Sequence, residues 1–310
     1  MTMPEPEHRI AYVTTDDDYL ADDPDTDLPR VRPALAELGI EATPEIWHDP
    51  AVDWGQYDAL VIRSPWDYTH RPAAWLAWLD ARAATTPLLN CAHTIRWNLD
   101  KRYLLDLEAE GVAIVPTTVC DDAESLRAAF EAVTSAEVVV KPTVSAGSKD
   151  TGRFAAGDRQ ALALGEHVLA TGNRIMVQPC IPGVAEVGER SVIYFDGELS
   201  HTLAKGPLLA LGGGLIGGEY RESITATSVT DAEHELADAV ARVVPSIVRR
   251  KGCDCASAVP LYARYDIVMA DDGPLLLEAE LFEPCFFLHT SPGSEHHFAA
   301  AVARRLSALG

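Results

Sequence analysis

The chain has 310 residues, 47% hydrophobic and 23% charged, with 25 Lys and Arg against 47 Asp and Glu for a formal charge of −22. That length exceeds what one hydrophobic core usually organises, so two or three subdomains and a sizeable interior are expected, and the ordinary composition argues against disorder. So acidic a surface, with no basic run to offset it, excludes nucleic acid and anionic membrane as expected partners; an anionic nucleotide would need a few Lys and Arg converging in a cleft, together with a divalent cation.

The N-terminal stretch MTMPEPEHR is polar, and no run of about 18 apolar residues occurs anywhere, so the protein reads as cytoplasmic. Arg9 to Thr14 predicts a short apolar strand, Leu28 to Leu38 an amphipathic helix stopped by Gly39, and Ala59 to Arg63 a second strand. Strand and helix in alternation imply a parallel sheet, in which ligands collect beyond the carboxyl ends of strands. By that rule the acidic loop from Asp16 to Asp27 and the segment Arg63 to Tyr68 (RSPWDY) are candidate substrate contacts, with Asp16, Arg63, Trp66, Asp67 and Tyr68 the side chains of interest. The first loop reads equally well as a solvated acidic loop.

From Asn98 the pattern turns helical (NLDKRYLLDLEAEG), with Asn98 as cap and Gly111 as stop. A helix from Ala123 to Val133, the strand AEVVVKP, a polar loop from Ser145 to Arg153 (SAGSKDTGR), a further helix and the strand IMVQPCIPG follow. Next comes a hairpin turning at Asp196-Gly197, then a Gly-rich loop (LGGGLIGGEYRE) and a helix from about Asp231 to Lys251. A second hairpin, LYARYDIVMA-DDG-PLLLEAEL, precedes a last helix from about Ser294 to Leu306. The resulting divisions are 1–95, 96–183 and 184–310. The six cysteines show no paired CxxC spacing, and Cys253 and Cys255 have no histidine near them in sequence, so neither zinc nor redox chemistry is expected of them.

The second hairpin carries the most information. If Asp271, Asp272 and Gly273 form a three-residue loop, Asp266 faces Glu278 and Arg264 faces Glu280. The two-residue period then puts Arg264, Asp266, Glu278 and Glu280 on one face and Tyr265, Ile267, Leu277 and Ala279 on the other, toward the core. Carboxylates opposed in a sheet destabilise it unless a cation sits between them, and hard oxygen ligands without His or Cys select Mg²⁺ or Mn²⁺. The alternative is a solvated acidic face. Upstream, Lys101, Lys141, Lys149, Arg153, Arg190 and Lys205 occur in settings suited to phosphate, and the loop residues Ser145, Gly147, Ser148, Thr151 and Gly152 offer backbone N–H groups and hydroxyls, although no GxxxxGK[ST] motif is present.

Taken in order, NLDKRYL, VVVKP, SAGSKDTGR, VQPCI, GERSVIYFDGE, ARYDIV and LLLEAELFEP resemble the ATP-grasp superfamily over about residues 97 to 290. Within it, RSPWDY, WNLDKRYLLDL and ELFEP are most similar to the small cyclo-ligases that close O-ureido-D-serine into D-cycloserine. The resemblance implies an α/β (α+β) ATP-grasp fold of three subdomains with ATP between two α+β lobes. It implies that Lys101 and Lys141 hold the phosphates, that Ser145, Gly147, Ser148, Lys149 and Arg153 lie on a loop folding over them, and that Gln178, Pro179, Cys180 and Ile181 meet the adenine edge with Glu186 near the ribose. Arg190 and Arg264 would meet the γ-phosphate or the acyl phosphate, and Asp266, Glu278 and Glu280 the metal. Many superfamily members carry Asn where Glu280 stands, which leaves one or two ions open.

The activity so implied is ATP-dependent C–N bond formation through an acyl phosphate, on a small amino-acid-like substrate. Lys205, His201 and Glu283 are candidates for contacting that substrate or moving its proton. An intermolecular amino-acid or peptide ligase would share every ATP residue, and a non-catalytic nucleotide-binding regulator would share the fold; a dinucleotide enzyme is disfavoured because no G-x-G-x-x-G follows the first strand. Many relatives pair as homodimers, and nothing in the sequence decides this.

Overall fold

The apolar runs of the first third build the parallel sheet that their alternation with helices implies. The structure, a computed structural model, describes residues 6–20, 24–218, 223–255 and 257–309. Strands β1 (His8–Thr14), β2 (Ile40–Ile46), β3 (Ala59–Ser64) and β4 (Leu88–Leu89) pair in parallel in the order β2-β1-β3-β4. Helices α1 (Asp17–Leu20), α2 (Leu28–Ala36) and α3 (Pro72–Ala83) connect them. The pattern of β2 hides it: Pro44 interrupts the run, and it is tolerated because β2 is an edge strand, where a missing N–H costs no ladder bond.

A separate helix, α4 (Ala92–Asn98), comes first, and the helix expected from a cap at Asn98 to Gly111 is the shorter α5 (Tyr103–Ala109). Asn98 instead ends α4 with its side chain buried, donating to Ala279 O at 2.7 Å and accepting from Leu281 N–H at 2.8 Å. Its amide satisfies the backbone of the second hairpin, which explains a buried polar side chain better than a cap does.

The middle of the chain folds β5 (Thr118–Cys120), α6 (Ala123–Ala132), β6 (Glu137–Pro142), β7 (Gly152–Ala155), α7 (Arg159–Ala170) and β8 (Ile175–Pro179) into an antiparallel sheet, order β5-β8-β6-β7, backed by both helices. Asp122 closes a capping box with Ser125 at the start of α6, and Leu126, Val138, Val140, Phe154, Val168 and Val177 form the core between sheet and helices.

After α8 (Pro182–Val187), a second antiparallel sheet follows in the order β11-β10-β9-β12-β13, from β9 (Glu189–Phe195), β10 (Glu198–Lys205), β11 (Ile224–Ala226), β12 (Tyr262–Ala270) and β13 (Gly273–Glu280). The amphipathic α9 (Asp231–Arg250), capped by Thr230 and Glu233, buries Leu236, Val240, Val244 and Val248 beneath it. The last helix, α10 (Ser294–Ser307), packs Phe298 and Val302 into one core with Ile10 and Leu35 of the first sheet's layer. Residues 219–222 of the Gly-rich loop and 21–23 of the acidic loop lie outside the described residues. Among the described residues no helix is long and apolar enough to cross a membrane.

The second hairpin pairs Asp266 with Glu278 and Arg264 with Glu280, as expected, but by a different route. Its loop has two residues, Asp271 and Asp272, and the register shifts by one between Asp266 and Ile267. This bulge changes one assignment: Leu276, not Leu277, takes the core position opposite Ile267, and Leu277 turns to the cleft.

Candidate active site

A cavity of about 270 Å³ lies between the two antiparallel sheets, roofed by the 145–151 loop. Its floor is built from strand ends. Lys141 and Lys101 sit beside Glu278, with Lys101 Nζ 2.9 Å from Glu278 Oε1 and donating to Ser145 O at 2.8 Å. Burial pulls the Lys101 ammonium down, but Glu278 more than offsets it and holds it above its usual range. Lys141, without so short an ion pair, is left lowered by burial. The carboxyl of Glu278, which burial alone would raise, is held below its ordinary value by the two lysines.

Deeper in the wall, Arg264 grips Asp266 with Nε at 3.0 Å from Oδ1 and Nη2 at 3.0 Å from Oδ2, and also reaches Glu280 and the main-chain oxygen of Cys285. Lys205 Nζ lies 3.0 Å from Asp266 Oδ2 and pairs with Glu189, while Ser191 Oγ donates to Asp266 Oδ1 at 2.6 Å. Burial would raise Asp266, yet Arg264 and Lys205 hold it far below the carboxylate range. The compensation is uneven. Burial, with Asp266 and Glu278 nearby, pushes Glu280 up to about 7 despite Arg264, and burial with Glu280 beside it pushes Glu283 up to about 8. Carboxyls so raised are at rest only when protonated or when a further cation arrives.

The structure brings Lys101, Lys141, Ser145, Gly147, Ser148, Arg153, Gln178, Pro179, Cys180, Ile181, Lys205, Arg264, Glu278, Glu280 and Glu283 to this cavity, with Trp66 and Tyr68 at its N-terminal end. Asp266 stands one layer behind, its oxygens taken by Arg264, Lys205 and Ser191. Others are elsewhere. Arg190 pairs across the sheet with Ile267 on the core-facing side of β9, so its neighbour Glu189 lines the cleft in its place. Lys149 is exposed and meets His70 at 2.8 Å. Arg63 is buried against Asp27 and donates to Pro284 O at 2.7 Å, tying chain segments together outside the cavity lining. Asp67 accepts from Trp47 Nε1 at 2.6 Å and pairs with Arg71, and Asp16 receives the Tyr19 N–H at the start of α1; neither lines the cavity. His201 is buried, bonded to Phe286 O and Ser200, with its imidazole lowered by burial. The side chain of Glu186 lies outside the described residues.

Sequence reasoning missed Glu189 and Asn98. Glu189 faces Lys205 only because the β9–β10 hairpin shifts register between Leu199 and His201, and no residue pattern announces that bulge. Asn98 carried a signal, a polar residue on an apolar helical face, and it was read as a cap.

With this geometry in view, the comparisons with known proteins are specific. The family model described as D-cycloserine synthetase DcsG, N-terminal domain, matches residues 10–90. The cycloserine biosynthesis protein DcsG of Streptomyces lavendulae is 35% identical over 294 residues, 91% of this chain and 94% of that protein. The chain belongs to the D-cycloserine synthetase (DcsG) family. The crystal structure of D-cycloserine synthetase DcsG superposes with a TM-score of 0.86 at 33% identity, covering 96% of this chain and 99% of that one. D-alanyl-alanine synthetase A of Vibrio cholerae shares the fold at a TM-score of 0.69 and 13% identity, with 99% of each chain covered, as does a RimK-domain ATP-grasp protein of Sphaerobacter thermophilus at 0.64 and 19%, covering 95% of this chain and 98% of that one. This D-cycloserine synthetase relative is therefore an α/β ATP-grasp protein and an ATP-dependent ligase.

Proposed function

We propose that the chain activates the carboxylate of a small amino-acid-like substrate as an acyl phosphate and lets a nitrogen of the same molecule displace phosphate, closing O-ureido-D-serine toward D-cycloserine. The observation that carries this reading is the interleaving of cations and carboxylates on one cavity wall: Lys101, Lys141, Lys205 and Arg264 among Glu189, Asp266, Glu278, Glu280 and Glu283. Four cations against five carboxylates is more than a fold needs, and the excess fits a triphosphate with a divalent ion.

In this reading Lys101 and Lys141 bind the ATP phosphates, the loop carrying Ser145, Gly147 and Ser148 covers them, and the strand end Gln178 to Ile181 meets the adenine edge. Glu278 and Glu280 fit Mg²⁺ or Mn²⁺: both are hard oxygen donors on the cavity wall, and a Glu280 carboxyl near 7 marks negative charge the side chains leave uncompensated. An ion held there supplies charge neutralisation for the phosphates. Asp266 keeps Arg264 and Lys205 extended toward the cavity, where Arg264 and Lys205 stabilise charge on the transferring oxygens.

The substrate carboxylate oxygen attacks the γ-phosphorus, the bond from phosphorus to the ADP oxygen breaks, and the acyl phosphate forms; the oxygen-bound ureido N–H then attacks the carbonyl carbon, phosphate leaves with the former carboxylate oxygen, and the nitrogen's proton passes to that phosphate. D-cycloserine lacks the terminal carbamoyl unit of its precursor, so the complete conversion also consumes one water to release that unit. Glu283, raised to about 8 and hydrogen-bonded by the Tyr68 hydroxyl, suits the substrate ammonium, and Trp66, whose indole N–H donates to Glu283 O at 3.1 Å, fixes that corner.

The test is ADP release with O-ureido-D-serine, with mass spectrometry of the product. ATP-dependent appearance of a cyclic product from one substrate molecule is expected. A two-substrate adduct would identify an intermolecular ligase instead, and ATP binding with no turnover on any amino acid would sink the enzymatic reading.

A further inference from the structure

The four side chains Cys91, His93, Cys253 and Cys255 lie together outside the lining of the ATP cleft, all their ligating atoms within 4.8 Å of one another. They come from two short turns distant in sequence, a Cys-x-His entering α4 and a Cys-x-Cys just after α9. Nothing in the residue spacing groups them, since Cys253 and Cys255 have no neighbouring histidine. The fold does. Gly252, at φ +97°, reverses the chain after α9 and passes so close to His93 that a Cβ there would sit 3.7 Å from His93 Nε2. Cys91 and Cys253 are both buried, with their sulfurs 3.3 Å apart.

We propose that Cys91, His93, Cys253 and Cys255 bind a structural Zn²⁺ that ties the start of α4 to the segment leading into β12. Three sulfurs and one imidazole make a soft donor set that selects zinc over the hard Mg²⁺ or Mn²⁺ expected at Glu278 and Glu280. Tetrahedral zinc, with bonds of about 2.3 Å to sulfur and about 2.0–2.1 Å to nitrogen, sets its ligand atoms roughly 3.5–3.8 Å apart, a spacing reached here by small side-chain adjustments. Four protein ligands leave no open position, which marks a structural and not a catalytic ion. The outer shell is in place, with Thr94 Oγ1 3.4 Å from Cys91 Sγ, and a cavity lined by Cys91, His93, Asp254 and Cys255 gives the ion a way in.

The position gives the ion a task. Asn90, next to Cys91, donates to Tyr262 O at 3.0 Å and to Leu281 O, and accepts from Leu261 N–H, so it clamps the entrance of β12 and the exit of β13. Zinc at the neighbouring four residues would fix Cys253 and Cys255, on the chain that leads into β12, and so steady Arg264 and Asp266 without touching substrate. The proposal stands independently of the reaction assigned to the cleft.

The full chain, purified without chelator or polyhistidine tag, is expected to hold one zinc per molecule by elemental mass spectrometry. Cobalt-exchanged protein should show thiolate-to-metal charge-transfer and tetrahedral d–d bands. Cys255→Ser and His93→Ala, both at partly exposed positions, should lose most of the metal on dialysis and lower the unfolding temperature only when compared with zinc-loaded wild type, not with chelator-treated wild type. Metal-free purified protein that takes up no cobalt overturns the proposal, as does zinc retained equally by both variants, or a Cys91–Cys253 disulfide in peptides mapped without reductant. Should a variant not fold, the cobalt spectrum of the wild-type chain decides.

Discussion

Among the described residues two arginine–aspartate pairs are buried on both sides, and they are built to opposite ends. Arg63 and Asp27 are enclosed on every side: Asp27 accepts the main-chain N–H groups of Phe286 at 2.6 Å and Leu288 at 3.1 Å, while the Arg63 guanidinium lies 3.5 Å from the centre of the Phe286 ring. Arg264 and Asp266 are bonded more tightly, yet Arg264 borders a cavity, and burial together with the neighbouring carboxylates pushes Glu280 up to about 7 and Glu283 up to about 8. Burial of charge is common to both. What separates a lock from a site is charge left uncompensated at a wall that a ligand can reach.

The contrast breaks first at the lock. Arg63→Met should leave Asp27 buried without its cation and cost about 3–5 kcal/mol of stability, read by denaturant unfolding, while the affinity of surviving folded protein for ATP stays at the wild-type value. A loss of ATP affinity at unchanged stability would reverse the roles of the two pairs. On the other side, Glu278→Gln keeps the shape of the side chain and removes the charge facing Lys101 and Lys141; ADP release should fall by at least about 100-fold with the far-ultraviolet circular dichroism spectrum unchanged. Wild-type turnover in that variant would remove Glu278 from the metal and phosphate site.

The site half of this contrast is legible from residues alone and the lock is not, since Arg63 reads in the sequence as a substrate contact and its partner Asp27 lies 36 residues away. Asp266 opposite Glu278 and Arg264 opposite Glu280 follow from the two-residue period of a hairpin, because register is a local property once the turn is placed. The reading survived an error there: the loop is one residue shorter than expected and a bulge restores the register, so only Leu276 and Leu277 exchange places. At Arg190 no such compensation occurs, and Glu189 holds the place beside Lys205. RSPWDY stands at a strand end, but Arg63 is still within β3, and a 3-10 turn with no sequence periodicity sends Trp66 and Tyr68 to the cleft and Asp67 to the scaffold. Cys91 and His93 against Cys253 and Cys255 lay beyond reach, since grouping them requires the tertiary path of 160 or so residues between.

Within the cleft, the two lysines offer a finer comparison. Lys101 is ion-paired to Glu278 at 2.9 Å, whereas Lys141 has no ion pair that short among the described residues and is the buried cation with more to gain from phosphate. Lys141→Ala should weaken a nonhydrolysable ATP analogue by about 10- to 100-fold in calorimetry, the range expected from losing a charge-assisted hydrogen bond of about 1.5–3 kcal/mol. Equal binding would assign the phosphates to Lys101 alone.

The smallest effect concerns the uncompensated carboxyls themselves, and its sign is fixed by linkage. Glu280 and Glu283 have folded values of about 7 and about 8 against an ordinary glutamate value of about 4.3, so between these limits the folded chain binds more protons than the unfolded one. Stability contributed by these groups is therefore full at low pH, falls as pH rises from about 5 to about 8, and is constant above that. Glu283 faces Glu280, the Tyr68 hydroxyl, Lys101 and Glu278, of which Glu280 raises it most after burial. Glu283→Gln should flatten the slope of unfolding temperature against pH in this window, and wild-type protein with ADP and Mg²⁺ should flatten it as well, because an added cation takes the place of the proton. If the slope persists in Glu283→Gln and is untouched by ADP and Mg²⁺, the excess carboxylate charge is not what prepares this wall for a nucleotide.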